Sequence, residues 1–197
     1  IKMNKIATGL AASVLLVSVA QAQETVNSQA TATVQNAFTL EETTAITFGT
    51  LRATAGATGD AATLVISANP TVAAVSTPGG TVASLDILEE GAPGEYAVSG
   101  VSPFSSLTID MPSDTDVVLV GASLPAGSPT LIASAWNAYV LTGPNENTVY
   151  ASSNLRADAG GVVTFSVGAT LTTEIVTAAA AYLDAEYSAS YDITVSY

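Results

Sequence analysis

The 197-residue chain contains no cysteine and no histidine. Without cysteine it forms no disulfide and has no thiol nucleophile. Without histidine it lacks the commonest general base and the commonest transition-metal ligand. Both lysines, Lys2 and Lys5, lie at the very start, so the rest of the chain has no amine for a Schiff base or an isopeptide bond. These absences predict a protein that is not an enzyme and needs no cofactor.

Positive charge is almost absent from the remainder of the chain. After residue 22, two arginines, Arg52 and Arg156, stand against 17 acidic residues, which gives a formal charge of −15. Nucleic acids and anionic membranes are bound through clustered basic side chains, so the sequence excludes both as partners. We expect each arginine to pair with nearby carboxylates and not with a ligand.

The first 22 residues have the pattern of a secretory signal peptide. Lys2 and Lys5 precede an apolar run over Ile6–Val19, and Ala20-Gln21-Ala22 has the small-x-small pattern of a cleavage site. The run is short for a transmembrane span. The sequence therefore predicts a signal peptide over residues 1–22, an exported mature protein and no membrane span in it.

Residues 37–197 read as short strands separated by Gly, Pro and Asn turns. Val163, Phe165, Val167 and Ala169, for example, alternate with more polar or smaller residues. Roughly ten such strands predict one all-β domain, an immunoglobulin-like antiparallel β-sandwich. The continuous apolar run Val117–Val120 predicts a strand that is buried on both faces.

One stretch leaves two alternatives open. Residues 174–186, EIVTAAAAYLDAE, contain an alanine run that favours a short helix. The same residues are also compatible with a strand, a loop and a second strand.

The two ends of the mature chain show the cleanest period-two patterns. Thr25–Leu40 alternates over 16 residues, about 50 Å of extended chain, which is far longer than the usual strand of about five or six residues. A break at Asn36-Ala37 would leave residues 23–36 as an N-terminal extension, a candidate strand for donation to another molecule. The last strand, Tyr187–Tyr197, would belong to the domain. The apolar faces of these two segments are the candidate assembly residues: Val26, Ala30, Ala32, Val34, Phe38, Tyr187, Tyr191, Ile193, Val195 and Tyr197.

Two further groups of residues have both a functional and a structural interpretation. Asp110, Asp114 and Asp116 lie close together between two strands and are a weak candidate for a Ca²⁺ site. We favour a solvated turn, in which Asp supplies turn hydrogen bonds, and we predict no metal. Tyr187, Tyr191 and Tyr197 share a face and could stack on sugars, but we favour burial in the core because Ile193 and Val195 share that face.

Four motifs carry a resemblance to known proteins. They are FGTL (48–51), YAVSGVSPFSSLTIDMPS (96–113), VTFSVGATL (163–171) and YSASYDITVSY (187–197). With them the chain resembles a family of secreted bacterial β-domains of unknown function. Such domains are similar to the subunits of archaic chaperone–usher pili and related surface fibres. The resemblance implies a sandwich that lacks one strand, which the N-terminal extension of the next subunit supplies.

The sequence thus predicts a structural subunit of a pilus or other extracellular fibre on a bacterial surface, with a role in cell adhesion or biofilm. Its partners would be identical subunits, and the resemblance adds a periplasmic chaperone and an outer-membrane usher. The alternative is a self-contained surface or matrix module that binds, for example, carbohydrate.

Overall fold

The computed structural model describes Val26 and residues 29–32, 37–57, 59–113 and 117–197. The chain divides into two units, residues 1–34 and 35–197. The described residues of the first unit, Val26 and 29–32, are exposed and belong to no strand. The strands of the second unit are β1 (Thr39–Thr44), β2 (Thr50–Ala57), β3 (Thr63–Ile66), β4 (Val75–Thr77), β5 (Ser84–Glu89), β6 (Gly94–Ser99), β7 (Ser106–Asp110), β8 (Val117–Gly121), β9 (Leu131–Val140), β10 (Thr148–Val149), β11 (Leu155–Arg156), β12 (Val162–Thr173), β13 (Ile175–Val176), β14 (Ala180–Ala181), β15 (Tyr187–Ser188) and β16 (Thr194–Ser196).

The second unit is all-β, as predicted, and its sheets pack together in the manner of a β-sandwich. The large sheet has the order β1-β6-β12-β9-β8-β15, with β10 beside β9, β3 beside β12 and β4 beside β3. Two smaller sheets, β11-β7-β16 and β13-β2-β14 with β5 beside β2, complete the unit. All strand pairs are antiparallel except β13 with β2.

Strand β12 organises the large sheet because it is paired along both edges. One edge pairs with β9, and the other pairs first with β6 and then with β3. Its inward side chains belong to two apolar clusters. Phe165 lies in the first of these, which we call the closed cluster, together with Leu107 of β7, Leu155 of β11 and Val195 of β16. Leu171 lies in the second cluster, together with Leu85 of β5 and Leu131 of β9.

A bulge in β9 brings the only tryptophan towards the interior. Gly168 of β12 pairs with Asn137 and Thr170 pairs with Ser134, so β9 carries one extra residue between them. Ala135 accordingly has a φ of 49°. The inward positions change from odd to even numbers at this point. Trp136 therefore packs against both clusters.

Residues 174–186 form no helix. Ile175–Val176 pairs with Gly56–Ala57 of β2, and Ala180–Ala181 pairs with Thr54–Ala55. Tertiary pairing along β2 thus overrides the helix propensity of the alanine run. The second alternative, two short strands separated by a loop, is the correct one.

Two strand predictions also need correction. The C-terminal segment is not one strand: β15 pairs with β8 of the large sheet, whereas β16 pairs with β7 of a small sheet. The chain crosses between the layers over residues 189–193. Strand β8 is buried on one face only, because Val118 and Val120 on its outer face are 38% and 56% exposed.

Candidate functional site

A cleft of about 960 Å³ opens at the second apolar cluster. It lies between the beginning of β2 and residues 181–191, and its lining comes entirely from the second unit. We refer to Tyr182–Tyr191 as the tyrosine strap. The strap connects β14, which pairs with β2, to the last strand of the chain.

The floor of the cleft is apolar because three neighbouring strands turn alternate residues toward it. The floor residues are Val117 and Leu119 of β8, Leu131 and Ala133 of β9, and Leu171 of β12. All five are at most 9% exposed. They belong to the core cluster, so the cleft reaches down to the core of the domain.

One wall is the edge of β2. Residues Thr50–Thr54 pair with β5 along one edge of that strand. On the other edge, the N–H of Tyr182 donates to the carbonyl of Ala53 at 3.1 Å. Among the described residues, none pairs as a strand with Thr50–Arg52 on this second edge. An exposed strand edge of this kind is able to accept another strand.

Gly49 makes the turn that leads into this wall. Its φ is +80°, and a Cβ at this position would clash with the carbonyl oxygen of Glu89. Only glycine fits both the backbone conformation and the close approach.

The tyrosine strap is the other wall, and side chains hold its beginning. The hydroxyl of Tyr182 donates to the carbonyl of Thr130 at 2.7 Å and accepts the N–H of Glu174 at 2.9 Å. The ring of Tyr187 meets that of Tyr182 edge-on, with centroids 5.6 Å apart. Its hydroxyl donates to the carbonyl of Leu183 at 3.2 Å.

Tyr191 anchors the end of the strap. Its ring lies 4.8 Å from that of Trp136, and its hydroxyl is 2.8 Å from the hydroxyl of Tyr96. Tyr96 in turn donates to Oε1 of Glu42 at 3.3 Å. A smaller cleft of about 470 Å³ lies beside this group, between β1 and residues 189–193. Tyr191 therefore lines both clefts.

The four tyrosines beside the two clefts, of which Tyr96 is buried and the others half-buried, stay protonated at neutral pH. Burial raises the pKa of Tyr182 to about 12, and burial also raises the pKa values of Tyr187 and Tyr191. The pKa of Tyr96 is raised by burial, by its hydrogen bond and charge interaction with Tyr191, and by Glu42. These hydroxyls are therefore neutral hydrogen-bonding groups, and the cleft offers apolar packing surface and neutral hydrogen-bonding groups.

The two arginines have local partners. Arg52, at the rim of the cleft, donates to Oδ2 of Asp86 at 2.9 Å, which confirms the prediction of a carboxylate partner. For Arg156 the prediction was wrong in detail. Its Nε donates to the carbonyl of Phe104 at 2.7 Å, and its guanidinium lies 5.5 Å from the centroid of that ring.

The predicted assembly residues fall into three places. Tyr187 and Tyr191 line the cleft. Phe38, Ile193 and Val195 belong to or pack against the closed cluster, and the rings of Phe38 and Tyr197 meet edge-on at 5.6 Å. The exposed Val26, Ala30 and Ala32 lie in the first unit, and Val34 is outside the described residues.

Sequence reasoning missed Tyr182 and the position of Trp136. The available signal for Trp136 was the change from odd-numbered apolar positions, Leu131 and Ala133, to the even-numbered Ala138 and Val140. For Tyr182 we found no such signal, because only the pairing of β14 with β2 places it in the wall.

The candidate Ca²⁺ site is described only in part. Asp110 is exposed at the end of β7 and pairs with Thr194, while Asp114 and Asp116 lie outside the described residues. Within the described ranges, no group of three or more acidic side chains is placed to hold a metal ion.

The part of the chain that the structure describes contains no helix with the length and apolar character needed to cross a membrane. Comparison of the chain with known protein families, curated proteins and solved structures finds no match.

Proposed function

We propose that this protein is a non-enzymatic structural subunit of an extracellular fibre on a bacterial surface. In this proposal the N-terminal segment of one copy adds a strand to the cleft of another copy. The observation that supports it best is the cleft itself, because core residues form its floor and its wall is the edge of β2 at Thr50–Arg52, which has no strand partner among the described residues. An added strand would form backbone hydrogen bonds with such an edge and would bury the apolar side chains of such a floor at the same time.

The segment Val26–Val34 has the properties of the donated strand. Its mostly apolar face consists of Val26, Ser28, Ala30, Ala32 and Val34, all small enough to enter a cleft without displacing the core. Burial of two valines and two alanines would contribute roughly 4–6 kcal/mol, an upper value from area bookkeeping. Backbone hydrogen bonds to β2 would add to this.

Export and non-covalent assembly follow from the same sequence. The signal peptide predicted over residues 1–22 would deliver the chain out of the cell, and a periplasmic chaperone with an outer-membrane usher is one route consistent with the resemblance. Since no cysteine, and no lysine beyond Lys5, is present, we expect the fibre to dissociate to a single monomer band on boiling in detergent. A persistent ladder would show that the subunits are cross-linked.

A full-length variant tests strand donation. Ala32→Asp with Val34→Asp would bury two unpaired charges, at a cost of several kcal/mol, and should abolish polymerisation. Thr31→Asp with Thr33→Asp introduces the same charges on the polar face and serves as the matched control. A synthetic peptide of residues 24–36 should still bind the Ala32→Asp, Val34→Asp subunit. If the wild-type protein is a monomer that ignores this peptide, the fibre proposal fails.

A second candidate is a carbohydrate-binding module. It is favoured by the five aromatic side chains that line one cleft, Phe48, Trp136, Tyr182, Tyr187 and Tyr191. Aromatic rings provide apolar faces for stacking, and the Trp and Tyr rings also carry a polar tip. Saturable binding of an oligosaccharide to the monomer, lost in Tyr187→Ala, would favour this candidate. Polymerisation that no oligosaccharide inhibits would favour the fibre.

A further inference from the structure

We infer that the tyrosine strap is a latch, which occupies part of the cleft in the free subunit and must move aside before a strand from a second copy can enter. This inference rests on the proposed function and concerns the regulation of the same site. It would make the free subunit slow to assemble until an incoming strand displaces the strap.

The backbone of the strap is weakly attached to the domain. Of its ten residues, only Tyr187–Ser188 form a strand, a two-residue pair with Val120–Gly121 of β8. Further backbone hydrogen bonds run from Tyr182 N–H to Ala53 and from Ala122 N–H to Glu186. Residues 183–186 and 188–190 are all exposed. Segments with few backbone bonds and little burial open locally at low cost in free energy.

The side chains of the strap, in contrast, lie where a donated strand would place its own. Tyr182, Tyr187 and Tyr191 all pack against the apolar cluster that forms the floor. The floor cannot be covered by these rings and by the valines and alanines of an incoming strand at once. Displacement of at least Tyr187 and Tyr191 is therefore part of strand entry, whereas the edge at Thr50–Arg52 is already free of a strand partner within the described residues.

The pairing of β15 with β8 allows the strap to be fixed in place by an engineered disulfide, which can be reduced again. Ser188 lies opposite Val120, both are exposed, and opposite residues of an antiparallel pair have the Cα separation that a disulfide needs. Because the chain has no cysteine, Ser188→Cys with Val120→Cys introduces a single defined bond. The reduced form of the same molecule is its own control.

The experiment uses the full chain carrying Ala32→Asp and Val34→Asp, so that only the added peptide of residues 24–36 donates a strand. Fluorescence of Trp136, the only tryptophan, reports entry into the cleft that it lines. We expect the oxidised lock to slow association by about tenfold or more, because the fraction of competent molecules falls. Reduction should restore the unlocked rate.

A second disulfide controls for oxidation itself. Val162 and Ser99 are opposite, exposed residues of β12 and β6, neither of which lines the cleft. The pair Val162→Cys with Ser99→Cys should leave the rate unchanged on oxidation. If the Ser188–Val120 lock also leaves it unchanged while the peptide binds, the latch is wrong and the fibre proposal stands.

Loosening the latch should have the opposite effect. Tyr191→Ala removes the contact with Trp136 and the hydrogen bond to Tyr96, and we expect it to accelerate peptide association several-fold. Tyr197→Ala removes a tyrosine that lies outside the strap, and we expect it to leave the rate of peptide association unchanged. If the peptide binds neither the unlocked chain nor Tyr191→Ala, both the latch and strand donation are refuted.

Discussion

The two ends of strand β12 differ in how their apolar faces are covered. At the Phe165 end, the ring of Tyr96 stacks on Phe165 at 5.3 Å, and residues of β7, β11 and β16 complete a closed cluster. At the Leu171 end, β2 and β5 cover part of the face, and the rest opens into the cleft beneath the tyrosine strap. One strand with one alternating pattern thus supports a sealed core and an open one. The covering segments make the difference.

The largest expected effect comes from the same substitution at the two ends. Leu107→Ala creates a cavity within the closed cluster and should lower the free energy of unfolding by about 3–4 kcal/mol. Leu171→Ala enlarges a cleft that already exists, so we expect a loss nearer to about 2 kcal/mol. Both residues are 1% exposed in the native fold, which makes the pair a matched comparison. Denaturant titration measures both values, and equal losses would show that the Leu171 end is as closed as the other.

Asp60 holds the loop that leads into β5 and so stabilises the domain at the Leu171 end of β12. Its Oδ2 accepts the N–H groups of Thr81, Val82 and Ala83 at 3.3, 2.9 and 3.2 Å. Burial acts to raise the pKa of Asp60, but these backbone hydrogen bonds outweigh it and the pKa is lowered. Because the pKa of Asp60 is lower in the folded chain than in the unfolded chain, its carboxylate stabilises the fold above about pH 4, the unfolded pKa. This stability is lost as the pH falls through the folded pKa.

We therefore expect Asp60→Asn to destabilise the protein at pH 7 and to flatten the decrease in stability below about pH 4. Asp86→Asn, which removes an exposed carboxylate, is the control and should have the smaller effect. Thermal unfolding measured from pH 7 down to acid provides the test. Identical acid profiles for wild type and Asp60→Asn would contradict this role.

The tyrosine strap should weaken in alkali. The pKa of Tyr182 is raised by burial from 10.0 to about 12. As the pH rises, the hydroxyl of Tyr182 therefore ionises in the unfolded chain before it ionises in the folded protein. The contribution of Tyr182 is fully present below pH 10 and is lost as the pH rises toward 12. Tyr182→Phe should be less stable at pH 8 but lose less stability between pH 10 and pH 12, as followed by urea unfolding at each pH. An unchanged slope would show that Tyr182 does not govern this loss.

The smallest effect is expected at the rim of the cleft. Arg52 and Asp86 have side chains that are 73% and 47% exposed, and exposed ion pairs contribute about 0–1 kcal/mol. Arg52→Gln should therefore change the unfolding free energy by less than about 1 kcal/mol, and high salt should remove the difference. A larger loss would mean that Arg52 has a structural role in the wall.

Local sequence patterns predicted most of the strands but not how they combine. Alternation over Val163–Leu171 was sufficient to predict β12, since a period of two is a property of the strand itself. Local patterns left two alternatives open at Ala180–Ala181, and pairing with β2 decided between them against the helix propensity of the alanine run. Alternation predicted the inward faces of Tyr187 and Tyr191 without revealing that β15 and β16 lie in different sheets.

The sequence by itself determined the all-β character of the domain and the absence of thiol and imidazole groups, because both depend on residue types and on spacing along the chain. Only the tertiary structure decided where the core stays open. The cleft exists because Tyr182, Tyr187 and Tyr191 cross between β2 and β8 with few backbone hydrogen bonds, and the bulge at Ala135 brings Trp136 beneath them. Both features arise from strand pairing between distant segments, and period-two alternation along one segment contains no information about its partner.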